Sequence, residues 1–92
     1  MIAYLRRVQH PSWGRQIGIV MPYCEPFIAA LKARLRSRYR KWDPRLHAWF
    51  VWEPKERTLL EVLDAHAIRH EWTGRILRGL KEAGPSCHRW WA

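Results

Sequence analysis

The chain has 92 residues and a formal charge of +9, seventeen Lys and Arg against eight acids. A single domain of that length buries only about 60 to 65% of the surface its unfolded form exposes, so its core is small and every large apolar residue counts. No window reaches the roughly 18 uninterrupted apolar residues that a membrane-spanning helix requires.

The charge is unevenly placed. Residues 1 to 50 hold ten cations and two acids, while residues 51 to 92 hold seven and six. Thirteen of the cations are Arg, whose planar fork suits phosphate contacts and ring stacking. Such an asymmetry favours a polyanionic partner. Nucleic acid ranks ahead of a membrane, because no cationic helix with a continuous apolar face accompanies the charge. The opening residues Met1 to Arg7 lack the apolar run of a secretory signal, so a cytoplasmic location with Cys24 and Cys87 reduced is expected.

In chain order, Ile2 to Val8 and the alternating Ile17, Ile19, Met21 predict an antiparallel hairpin, turned at Pro11-Ser12-Trp13-Gly14 with Gly14 free to take a positive φ. From Glu25 the period becomes helical: Phe27, Ile28, Leu31 and Leu35 share a face, Pro26 fits a first turn, and Lys32, Arg34 and Arg36 complement the negative end of the dipole. A second hairpin follows, residues 38–42 and 47–52 around Asp43-Pro44-Arg45-Leu46. Both of its faces carry aromatic rings, and alternation does not say which face is wet. Pro54 ends the strand and starts a second helix with the stripe Leu59, Val62, Leu63 and His66. After a break near His70, Trp72, Ile76, Leu77, Leu80 and Ala83 predict a third helix that Gly84-Pro85 ends. The tail Ser86 to Ala92 has no readable period.

The order of these features resembles a known family: a strand, Pro22-Tyr23, a helix with Leu31-Lys32, a basic stretch, Trp42-Asp43-Pro44, then Trp49. It is similar to the HARP domain, the DNA-binding module of annealing helicases, and to small bacterial relatives with a Trp-Asp-Pro-x-x-Lys-x-Trp turn. The likeness covers residues 17 to 66. It implies an α+β unit that engages DNA structure more than sequence, with Lys32, Trp42 and Trp49 at family positions. His47 stands where the family usually has Lys, and the connection from Lys32 to Trp42 is longer and richer in Arg. No phosphate-binding loop Gly-x-x-x-x-Gly-Lys-Ser/Thr occurs, so the helicases' ATP-driven activity does not carry over.

The expected nucleic-acid-binding residues are Lys32, Arg34, Arg36, Arg38, Tyr39, Arg40, Lys41, Arg45, His47 and Trp52. The cations from Arg34 to Arg45, less Asp43, predict a salt slope of about −3 to −5 if most meet phosphates. The bland alternative is a solvated basic face. Trp42, Trp49 and Trp72 are expected to be mainly structural; Tyr39 and Trp52 are the expected exposed rings. His66 and His70 lie at zinc-ligand spacing if both are helical, but the Glu of a His-Glu-x-x-His site is missing, and no metal or cofactor is expected. No spacing selects a nucleophile and base among Cys24, Cys87, the His residues or Ser12, Ser37 and Ser86, so no catalytic residue is expected.

These readings converge on one α+β domain over residues 1–85, a small antiparallel sheet packed on helices in the order ββαββαα, with a tail at residues 86–92. Its core is expected to contain Ile17, Ile19, Phe27, Leu31, Trp42, Trp49, Leu59 and Leu63. The expected function is non-catalytic nucleic-acid binding, DNA ahead of RNA, through the second hairpin and the end of the first helix, with a preference for DNA shape or single-stranded junctions. The alternative is a small adaptor or inhibitor of a nucleic-acid-processing enzyme. Trp90 and Trp91 are the candidate contact for such a protein partner.

Overall fold

A computed structural model describes residues 1–73. Strands β1 (Ile2–His10) and β2 (Gly14–Val20) form the expected hairpin, followed by helix α1 (Glu25–Arg34), strands β3 (Arg40–Asp43) and β4 (Ala48–Trp52), helix α2 (Glu56–Ala65) and strand β5 (Arg69–Trp72). Short 3-10 turns at Ser37–Tyr39 and Glu53–Lys55 lead into β3 and α2. The sheet order is β3-β4-β2-β1-β5, antiparallel except for the parallel pair β1 and β5.

The α+β class and the packing of a small sheet on helices are as expected. The first six elements follow the expected order, but the next is a strand. Trp72, expected to open a third helix, ends β5 instead. The rest of that expected helix, and the tail with Cys87, Trp90 and Trp91, lie outside the described residues.

Pleat alternation gives the sheet two unlike faces. The registers Leu5↔Ile19 and Ile17↔Val51 put Leu5, Ile17, Ile19, Trp49 and Val51 on one side. That side packs on α1 through Phe27 and Leu31 and on α2 through Leu59, Val62 and Leu63 in a single cluster. Burial of each such side chain contributes about 1.5 to 3 kcal/mol. The opposite face holds a smaller cluster of Val8, Ala48 and Phe50, against which Trp13, Val20 and Leu46 pack.

Local chemistry sets the boundaries. Gly14 adopts φ 77 where β1 turns into β2, a conformation that glycine takes without a Cβ penalty. Helix α1 starts with Pro26 in its first turn and stops where Leu35 turns extended, Leu35 N–H donating to Leu31 O at 2.9 Å. Leu35 is 3% exposed, so its burial beneath the sheet carries the chain away from the helix axis.

Helix α2 ends in a Schellman motif: Ile68 N–H donates to Leu63 O at 2.9 Å, and Ala67 N–H to Asp64 O at 3.0 Å. Ala67 takes φ 54, the left-handed position that glycine usually fills. Leu63 and Ile68 then close the motif inside the core. The residue type at position 67 conceals this stop, which is why His66 and His70 read as a continuous helical pair. His70 lies in β5, and His66 caps the helix with its Nδ1 3.0 Å from Val62 O.

Ion pairs on the helix-covered side tie the layers together. Arg7 on β1 pairs with Glu56 on α2, Arg15 on β2 with Glu53 at 3.1 Å, and Arg34 on α1 with Glu61 on α2 at 2.8 Å. The Arg7 hydrogen bond outweighs the effect of burial and holds the Glu56 carboxyl below its usual range.

Candidate nucleic-acid interface

Among the described residues strand β3 is an edge of the sheet; Arg40 and Lys41 lie on it, Arg36, Arg38 and Tyr39 just before it, Arg45 and His47 in the turn into β4, Trp52 at the end of β4, and Lys32 and Arg34 on α1. That turn is built by Asp43. Its Oδ1 accepts from Arg45 N–H at 2.9 Å, and Leu46 N–H donates to its backbone carbonyl at 3.3 Å. His47 closes the four-residue loop at φ 50, in the left-handed region where His is one of the more tolerated non-glycine residues.

Asp43 is 5% exposed and meets an equally buried His10, whose Nε2 lies 3.2 Å from Asp43 Oδ2. Ser12 N–H donates to His10 Nδ1 at 3.1 Å, so that nitrogen is the acceptor and Nε2 carries the proton toward Asp43. Trp13 stacks on the same imidazole at 4.0 Å, and Phe50 meets it edge-on at 5.0 Å. Burial pushes the Asp43 carboxyl upward. The hydrogen bonds from His10, Arg45 and Leu46 and the Arg45 charge outweigh that effect and hold it below the usual range. The β1–β2 turn is thereby bolted to the β3–β4 turn. Sequence reasoning missed His10, because residues 33 apart in the chain meet only through the sheet.

One side of the β3 edge carries an aromatic stack. Tyr39 and Trp52 lie parallel at 5.2 Å and 12°, with Arg38 5.0 Å and Lys55 4.8 Å from the Tyr39 ring centroid. Trp52 is 40% exposed, as expected, while Tyr39 is half-buried. Lys55 was not among the expected binding residues; its place in the 3-10 turn after β4 hid it. A ring positions a cation without cancelling its charge, unlike a carboxylate.

The expected cations divide by partner. Arg34 is ion-paired with Glu61, and Arg40 donates its Nε–H to Leu35 O at 2.9 Å, so both are engaged in holding α1. Arg36 is exposed and Lys41 half-buried, and neither makes an ion pair among the described residues. Arg45 is exposed at the turn. Asp43, the acid in this stretch, is turned inward to His10, and of the expected cations it is Arg45 whose charge acts on its carboxylate.

The other side of the edge borders a cleft between the sheet and α1, lined by Phe27, Lys32, Trp42, His47 and Trp49 among others. Trp42, expected in the core, is 46% exposed. It sits on a strand that is an edge among the described residues, and of the pair Trp42 and Trp49 it is Trp49 that packs against the main cluster. Trp72, also expected to be structural, is 42% exposed on the other edge strand, beneath the Arg7 guanidinium at 4.4 Å.

Among the described residues no group of three or more His, Cys, Asp or Glu converges as a metal site, and Cys24 is a free thiol. No helix of those residues is long and apolar enough to cross a membrane. No protein-family model matches the chain, and comparison with curated proteins and with solved structures finds no similar protein.

Proposed function

We propose that this chain is a non-catalytic nucleic-acid-binding module, a small relative of the HARP domain, that holds DNA by its backbone along the β3 edge. The observation that carries this reading is the Tyr39–Trp52 stack with Arg38 and Lys55 both held over Tyr39. Cations placed by a ring keep their full charge for phosphates, and the exposed part of Trp52 offers a face on which a base can stack. Arg36 and Lys41 extend the same edge. The contacts are of a kind that tracks backbone and shape rather than base sequence.

A salt titration of binding to single-stranded, duplex and forked DNA tests the reading. If Arg36, Arg38, Lys41 and Lys55 each neutralise one phosphate, the slope of log K against log salt is about −3 on a single strand. Arg38→Ala then reduces its magnitude by about 0.7, whereas Arg34→Ala leaves it unchanged, because Glu61 already balances that guanidinium. Absence of affinity for all three DNA forms at about 50 mM salt, where phosphate contacts are strongest, sinks the proposal.

A further inference from the structure

We infer, on the basis of the nucleic-acid reading above, that the cleft between α1 and the β3–β4 hairpin receives one unstacked base of the bound strand, with Lys32 and His47 facing the adjoining phosphate. The cleft is about 560 Å³ and is shared by the sheet and the helix. Phe27 and Trp49 contribute apolar lining, and Tyr23 and Trp42 border it with rings that are 79% and 46% exposed. Large rings left open beside an apolar floor are unfavourable in water unless something covers them.

The geometry of Trp42 selects a flat occupant. Its neighbours Trp49 and His47 meet it at 54° and 83°, at 5.5 and 6.4 Å, so neither lies parallel to the indole. A planar ring entering the cleft finds an indole face that no parallel partner among the described residues occupies. The charge selects an anion: Lys32 and His47 line the cleft, and among the described residues no carboxylate does. Lys32 is exposed and makes no ion pair among the described residues. A nucleotide unit is planar and apolar-faced at one end and anionic at the other, and it arrives already tethered to the strand held along β3. An acidic peptide supplies the charge but not the plane, and a free aromatic side chain supplies the plane but not the charge.

The test compares a ten-nucleotide thymidine strand with the same backbone made of abasic sugars, at one salt concentration, on the full chain. Trp42→Ala is expected to weaken binding of the intact strand about 5- to 160-fold, the range of one lost base stack, and to leave the abasic strand almost unaffected. Trp42→Phe, which keeps a ring, recovers most of the loss, and Lys32→Ala weakens both strands. Trp42 is an exposed edge residue, and thermal melting of Trp42→Ala shows whether the fold persists; if it does not, Trp42→Leu, which keeps apolar bulk without a ring, is compared with Trp42→Phe on both strands, and equal discrimination of intact from abasic DNA by the two variants overturns the base cleft. Equal binding of intact and abasic strands by the unaltered protein overturns the base cleft while leaving the backbone reading in place. Binding of neither strand overturns both, and a cleft that answers only to a Trp-bearing peptide, with no nucleic-acid response, does the same.

Discussion

The buried pair His10–Asp43 fixes the turn on which the interface is built, and removing it has a calculable consequence. Asp43→Ala takes away the acceptor of the His10 Nε2–H at 5% exposure and of the Arg45 N–H. Depriving a buried donor of its acceptor costs about 1 to 3 kcal/mol, and the loss of the side chain that caps the turn adds to it. A total of about 2 to 3 kcal/mol lowers the melting temperature by about 8 to 24 °C in a domain of this size. Asp43→Asn keeps one acceptor oxygen but turns an amide donor toward the other N–H, so about half the loss is expected. The pH dependence has a defined sign. The folded carboxyl lies below its ordinary range, so its stabilisation is fully present above the unfolded value of about 3.9 and is lost as pH falls through the lower folded value. Denaturant unfolding at a series of pH values measures this. The gap between the unaltered protein and Asp43→Asn should shrink as pH falls below about 4. A loss under about 0.5 kcal/mol for Asp43→Ala, or a gap that grows as pH falls below about 4, refutes the assignment of this pair as the lock of the turn.

Further outcomes follow from single features. Ala67→Gly should stabilise the protein by about 0.5 to 1 kcal/mol, because it relieves the left-handed penalty at the end of α2; chemical denaturation checks the sign. Gly14→Ala should destabilise it by about 1 kcal/mol through backbone strain alone, since the nearest atom to an added Cβ is Gln9 Nε2 at 4.0 Å. Phe27→Ala should cost about 3 to 5 kcal/mol as a cavity forms between α1 and the sheet, visible as a large fall in melting temperature. Glu56→Gln should change stability by no more than about 1 kcal/mol, because its partnership with Arg7 is partly exposed, and the change should diminish in high salt.

Much of the fold is local and was legible as such. Alternation at Ile17 and Ile19, helical spacing at Phe27 and Leu31, and the Asp43-Pro44 turn each report a period or a turn chemistry that neighbouring residues enforce. The end of α2 was less legible. An Ala occupies the left-handed position at 67, and the demand that overrides its preference comes from Ile68, which must enter the core. Strand β5 was missed altogether. Its residues Arg69–Trp72 are all exposed, with no buried alternation to announce a strand, and they are extended because β1 offers a parallel partner.

The cationic stretch from Arg34 to Arg45 and the density of rings around it belong to the sequence by itself, since charge and residue type need no fold to exist. How those cations are held is a tertiary matter: Glu61 balances Arg34 from another helix, Leu35 O orients Arg40 without cancelling its charge, and Tyr39 holds Arg38 and Lys55 likewise uncancelled. The same holds for the rings. Trp42 and Trp49 are register partners with similar neighbours in the chain, yet Trp42 is 46% exposed while Trp49 is half-buried, because β3 is an edge strand and β4 is flanked on both sides. A side chain's period tells which way it points, but solvent reaches it or not according to what distant segments lay over it, and only the assembled sheet fixes that.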